Sequence, residues 1–240
     1  MTMHRQLIVN ADDLGLSAEV NSGIFAAHES GIVTSASLMV RCSTAGSAAA
    51  ESRQWPSLSL GLHIDLGEWA YRAGKWVSLY EVADLNDDLS VRTAIYKQLD
   101  IFRCYVGADP THLDSHQHVH REEPMRRIML ELSHELSVPL RHFSPKICYC
   151  GGFYGQSAIG TPLHSAISLH SLLDLLEKLP NGITELGCHP GMGSPLDTMY
   201  HTERRMELDV LCRPEVHELL RARDIRLISF DDVCCNRVPI

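Results

Sequence analysis

Leu7-Ile8-Val9-Asn10-Ala11-Asp12-Asp13-Leu14-Gly15 is a strand-like apolar run that stops abruptly in two adjacent carboxylates. Carboxylates are costly to hold beside an apolar layer without a partner, so a pair there points to a metal, to proton transfer or to helix capping. Three further apolar runs end in histidine: Leu58-Ser59-Leu60-Gly61-Leu62-His63, Thr111-His112-Leu113-Asp114-Ser115-His116-Gln117-His118-Val119-His120, and Ile183-Thr184-Glu185-Leu186-Gly187-Cys188-His189-Pro190-Gly191. Four strand ends carrying acids and imidazoles imply one shared site.

The rest of the chain alternates between periods of two and of 3.6. A strand over residues 6–10 leads through Ser17, an N-cap residue type, into a helix closed by Gly31. Residues 34–40 read as strand, the alanine-rich 45–53 as helix and 58–63 as strand. Residues 67–88 mix tryptophan, glycine and charge without a clear period, and read as a long loop at a substrate rim, with Trp69, Tyr71, Trp76 and Tyr80 on it. Ile95, Leu99, Phe102 and Val106 form the stripe of an amphipathic helix that feeds a strand at 111–115. Then come a helix at 123–136, a short strand at 139–142, a glycine-rich loop at 148–161, a helix at 165–179, a strand at 183–189, a helix at 213–223 and a strand at 225–230.

Strands separated mostly by helices make a parallel sheet, either open and doubly wound or closed as a barrel. An open sheet gathers its polar groups at one switch point. Here they close the first, third, fourth and sixth strands, as in a β/α barrel, so the expected fold is an α/β barrel of parallel strands with fewer than eight of them. With 240 residues, 45% hydrophobic and 21% charged, one domain over 1–240 is expected.

The net charge of −9 contains no long run of either sign, which excludes nucleic acid as an expected partner and favours a small neutral or cationic ligand. No stretch approaches the roughly 18 apolar residues of a membrane span, and no signal-peptide pattern precedes the first strand, so a cytoplasmic location is expected. The eight cysteines fall at irregular spacings without paired CxxC knuckles and read as reduced thiols.

One carboxylate and two imidazoles leave coordination positions open for water and substrate, an arrangement suited to Zn, Fe, Co, Mn or Ni. Asp13, His63 and His116 are the first choice. Asp13 could cap the following helix, but Ser17 already fills that role. His63 alone would read as a hydrogen-bonded strand-end histidine, and its company makes it a ligand candidate. In extended chain Asp114, His116, His118 and His120 project to one side. His116 is nearest the strand; His120 is the alternative ligand, Asp114 a supporting partner, and His112 and His118 belong behind the ligands or in solvent. Asp12 then serves as general base toward a water, and His189 protonates a leaving group or is simply a satisfied turn histidine.

Asn10-Ala11-Asp12-Asp13-Leu14-Gly15-Leu16-Ser17, Gly31-Ile32-Val33-Thr34-Ser35-Ala36-Ser37-Leu38-Met39-Val40, Gly61-Leu62-His63, the run from Thr111 to His120, and Cys188-His189-Pro190-Gly191 resemble, in order, the motifs of the YdjC-like carbohydrate deacetylases. The resemblance spans residues 5–233. It implies a deformed β/α (TIM-like) barrel similar to the polysaccharide deacetylases, hydrolysis of an N-acetyl group from a sugar with a divalent metal such as Mg2+ or Zn2+, and a homodimer. By motif, Asp12 matches the base, Asp13, His63 and His116 the metal ligands, and His189 the histidine near the acetyl group. The chain departs in carrying Leu14 where Phe is usual. Trp69, Tyr71 and Tyr154 are candidates to stack on sugar, though packing within loop or core accounts for them equally. The ligand set also suits a non-haem Fe(II) oxygenase, and a barrel that binds sugar or metal without turnover is the reading from another class.

Overall fold

The computed structural model describes residues 4–193 and 199–235. Its centre is β1 (Arg5–Leu14), in which Leu7, Ile8 and Val9 are fully buried on both faces. Such continuous burial is what a parallel strand covered by helices requires, at roughly 1.5–3 kcal/mol per large apolar side chain. Ser17 caps α1 (Ala18–Glu29), its Oγ accepting from the Val20 amide at 3.2 Å. Next come β2 (Ser35–Leu38), α2 (Ala45–Glu51) extended by a short 3-10 turn (Ser52–Gln54), and β3 (Ser59–Ile64).

Residues 67–81 correct the loop expectation. They form an antiparallel hairpin of β4 (Gly67–Arg72) and β5 (Lys75–Glu81), closed by Ala73 and Gly74, both at positive φ (50° and 82°), as a two-residue hairpin turn demands. Tyr71 faces Trp76 across it, with ring centroids 5.7 Å apart.

After α3 (Asp88–Val106), β6 (Leu113–Ser115) runs into tight 3-10 turns over His116–Arg121. Gln117 and His118 adopt left-handed backbone there (φ 51° and 54°), so the histidines do not project from an extended strand as expected. α4 (Met125–Leu136) follows. The strand expected at 139–142 reduces to one bridge, Leu113 to Leu140, and a strand overlaps the start of the expected 148–161 loop: β7 (Ile147–Cys150). The helix expected at 165–179 is a 3-10 turn (His164–Ile167) and α5 (Leu169–Glu177), separated by the capping Ser168. β8 (Gly182–Cys188), an unforeseen α6 (Thr202–Leu211), α7 (Pro214–Ala222), β9 (Ile225–Leu227) and α8 (Phe230–Cys235) complete the chain.

The strands are all parallel in the main sheet, in the order β6-β3-β2-β1-β8-β7, with β9 pairing the first residues of β1. One hydrophobic cluster runs from Leu7 to Ile225. Arg141, just after the Leu140 bridge, reaches side chains of β1, β6 and β8 at once, so the sheet curls into a half-barrel. This is the barrel expectation met with an incomplete ring. Cys42, Cys104, Cys148, Cys150, Cys188 and Cys212 are free thiols; the side chains of Cys234 and Cys235 lie outside the described residues. Among the described residues, no helix is long and apolar enough to cross a membrane.

Candidate metal-dependent active site

Neighbouring residues in a strand point to opposite faces, yet both carboxylates of β1 enter the same cavity. Ala11 pairs with Ala36 and Leu14 with Leu38, so β1 carries one extra residue against β2. Asp13 absorbs this bulge at φ 69°, a left-handed conformation that costs a non-glycine residue roughly 1–2 kcal/mol. The bulge turns Asp13 to stand beside Asp12.

Asp13 Oδ1 lies 3.4 Å from His63 Nε2 and 3.2 Å from His116 Nδ1. Its other oxygen accepts from Arg204 Nη2 at 2.6 Å, which leaves Oδ1 toward the imidazoles. His63 Nδ1 donates to Asp114 Oδ1 at 2.7 Å, fixing the tautomer that turns Nε2 to Asp13, the usual support for a ligating histidine. Burial raises the Asp13 carboxyl's cost of ionising, but Arg204 and the two histidines hold its pKa well below the ordinary value. Burial likewise opposes the His63 imidazolium, yet Asp114 and Asp13 on either side hold its pKa up at about 10. Two imidazoles and one carboxylate oxygen converging on one point fit a divalent ion of the Zn type.

Asp12 sits beside this trio in the grip of Arg141. Arg141 donates through Nη1 to Asp12 Oδ2 (2.6 Å), through Nη2 to Asp12 Oδ1 (2.7 Å) and through Nε to Glu185 Oε1 (2.7 Å), and its Nη2 is 2.7 Å from Asp114 Oδ2. One guanidinium cannot balance three buried carboxylates. Burial works against all three, but Arg141 overcomes it at Asp12 and Asp114, whose pKa values are lowered, while Glu185 is pushed up to about 7. Asn10 and Ser37 complete the shell, Asn10 Nδ2 donating to Asp12 Oδ1 (2.8 Å) and Ser37 Oγ to Asp114 Oδ2 (2.6 Å).

His189 closes β8 with Nε2 3.8 Å from Asp12 Oδ2 and Nδ1 buried without a partner among the described residues. Burial depresses its pKa to about 4, so at neutral pH it is an uncharged imidazole. Its amide donates to Glu207 of α6, whose own pKa burial pushes up to about 8. The rings of Tyr154 and Tyr200 stack at 4.7 Å and wall His189 in. Gly187 is required beside it: a β-carbon there would meet the Tyr149 hydroxyl at 2.6 Å.

The cavity above measures about 590 Å³, and Asp12, Asp13, His63, His116, Trp69, Tyr154 and His189 all line it. The structure thus brings together every first-choice residue from sequence. His120 goes elsewhere, its Nδ1 2.5 Å from Ser115 Oγ and its Nε2 3.2 Å from the Arg141 carbonyl. Asp114 supports His63 rather than His116. Sequence reasoning missed Arg141, Arg204 and Glu207; the spacing of Arg204 and Glu207, one helical turn apart on α6, was the available signal.

Comparison with known proteins agrees with this frame. A profile for the family described as YdjC-like protein matches residues 6–222. The chitooligosaccharide deacetylase of Serratia marcescens is 30% identical over 266 residues, covering 96% of this chain and all of that protein. The carbohydrate deacetylase of Clostridium beijerinckii is 30% identical over 252 residues, covering 95% and 100%. Among solved structures, a putative cellobiose-phosphate cleavage protein from Enterococcus faecalis superposes with a TM-score of 0.74 at 23% identity over 96% of this chain and 99% of that one. A peptidoglycan N-acetylglucosamine deacetylase gives 0.58 at 10% identity, over 95% and 86%. These two likenesses are of fold. The profile runs from the first strand to the last residue of α7, and the two deacetylases align over their whole length with 96% and 95% of the chain: it belongs to the YdjC-like protein family.

Proposed function

We propose that the chain hydrolyses the N-acetyl group of an acetylated amino-sugar oligomer, with a divalent ion held by Asp13, His63 and His116. The observation that carries this reading is the trio's convergence on Asp13 Oδ1 beside a second, separately held carboxylate, Asp12. The names of the deacetylase relatives support the substrate class. Imidazole donors favour Zn2+ or a similar transition ion over Mg2+. When bound, such an ion supplies Lewis acidity toward an acyl oxygen and toward water.

Asp12 accepts the proton of the attacking water. Arg141 keeps its carboxylate ionised and fixes both oxygens, at the expense of some basicity. His189 is uncharged at neutral pH, so it does not bring a proton of its own; it takes the one gained by Asp12 across the 3.8 Å gap and hands it to the departing amine. The C–N bond breaks, and acetate and an amino sugar leave. Trp69 and Tyr154, on the cavity wall, offer faces to the sugar rings.

Acetate release from chitobiose and longer N-acetylated chitooligosaccharides, measured with and without a chelator, tests this. Release that the chelator abolishes and Zn2+ restores is expected. Undiminished release in chelator overturns the metal's part, and no release from any saccharide by metal-loaded protein overturns the substrate class.

A further inference from the structure

A second group of imidazoles, two of which (His118 and His142) line the same cavity while His120 is buried behind them, plays no part in the site above. His118 and His120 stand on the tight turns after β6, His142 just past the Leu140 bridge, and a ring nitrogen from each lies within 4.8 Å of the others. The ring centroids of His118 and His142 are 5.1 Å apart. Two of the three residues are held on left-handed backbone, His118 at φ 54° and His142 at φ 68°, and both lack the glycine that makes this conformation easy. Such residues persist where the surroundings fix them, and they cluster at ligand-binding positions.

The donors are chemically open. His118 Nδ1 is buried with no hydrogen-bond partner among the described residues, and Tyr149 Oη lies 3.5 Å from its Nε2 as a fourth donor. His120 needs to release one nitrogen, and its 3.2 Å contact with the Arg141 carbonyl is the longer of its two bonds.

We propose that His118, His120 and His142 form a second site, for a divalent transition-metal ion, distinct from the Asp13–His63–His116 trio. Three imidazoles and a phenol oxygen suit Zn2+, Co2+, Ni2+ or Cu2+ and disfavour Mg2+ and Ca2+, which take oxygen ligands.

The test is metal stoichiometry of the whole chain, stripped and then dialysed against Zn2+, counted by mass spectrometry. His142→Gly is the first variant, because it removes the imidazole while glycine relieves the left-handed backbone, so with metal stripped from both it should melt close to wild type. Wild type should hold one ion more than His142→Gly, and His118→Gly should lose the same ion. Asp13→Asn should lose a different one, so that the double variant Asp13→Asn, His142→Gly holds two fewer than wild type. With Co2+, Asp13→Asn should keep a visible absorption that the double variant lacks. Wild-type stoichiometry in His142→Gly overturns the second site. Loss of an ion in Asp13→Asn alone, with His142→Gly unchanged, overturns the second site and leaves the first standing.

Discussion

Arg141 grips Asp12 through both guanidinium nitrogens, at 2.6 and 2.7 Å, with neither side chain more than 3% exposed. The fork fixes the plane of the carboxylate proposed to receive the water's proton. Lysine cannot reproduce two parallel hydrogen bonds while also serving Glu185 and Asp114. Arg141→Lys is expected to lower turnover by about 10–100-fold, a misplacement effect, and Arg141→Met to destabilise the fold by roughly 3–5 kcal/mol because three carboxylates are left without their cation. Denaturant unfolding together with acetate release checks both; a fully active Arg141→Met would show that the pair does not matter.

The two adjacent aspartates should separate cleanly. Asp13→Asn removes the charge and replaces one carboxylate oxygen by an NH2 group; because Arg204 demands an acceptor on its side, the NH2 is turned toward His63 and His116, and the variant is expected to lose bound metal and activity together. Asp12→Asn keeps the trio and should retain metal while losing about 10²–10⁴-fold in turnover, the usual worth of a general base. Metal content measured beside turnover decides, and an active Asp12→Asn removes Asp12 as the base.

Much of this site was legible because its residues close strands, and strands buried on both faces announce themselves as apolar runs. The hidden parts lack such a signal. β5 is largely exposed, so its alternation marks no half-buried face. α6 buries Glu203, Arg204 and Glu207 alongside Leu208 and Leu211, so the apolar stripe of its inward face is confined to its last turn. Arg141 is one basic residue after a single bridge, and nothing local tells it from a surface arginine. The left-handed pair Gln117 and His118 uses no glycine, so the turn that separates His116 from His120 was invisible.

That turn also makes a clamp. Gln117 Oε1 accepts from the Trp69 amide at 3.0 Å, and Gln117 Nε2 donates to the Trp69 carbonyl at 2.9 Å, tying the β4–β5 hairpin to the residue beside His116. Gln117→Ala deletes two hydrogen bonds worth about 1 kcal/mol each and frees the hairpin carrying Trp69 and Trp76. KM for long chitooligosaccharides is expected to rise several-fold with kcat little changed, and KM for the disaccharide to move less. An equal change for both lengths would deny the hairpin a role in holding sugar.

Stability of the metal-free protein should peak near pH 6–6.5, and the signs follow from which state binds more protons. His112 lies under Phe230, with ring centroids 3.7 Å apart, between Ser37 Oγ (3.1 Å) and Thr111 Oγ1 (2.9 Å), and burial lowers its pKa from 6.5 to about 3. Burial holds His118 and His120 at about 3 and His142 and His189 at about 4 in the same way. Below pH 6.5 the unfolded chain therefore binds protons that the folded one refuses, and stability is lost as pH falls, by up to about 1.4 kcal/mol per pH unit for each histidine. Above it the balance reverses. Glu185, Glu207 and His63 hold protons to about pH 7, 8 and 10 in the folded state, so stability is lost again as pH rises through those values. His112→Asn isolates one contribution: urea unfolding in chelator should show an acid limb shallower by about one proton, with the alkaline limb unchanged. An acid limb as steep as that of the wild type would mean that His112 is protonated in the folded protein and that its stacking on Phe230 does not exclude charge.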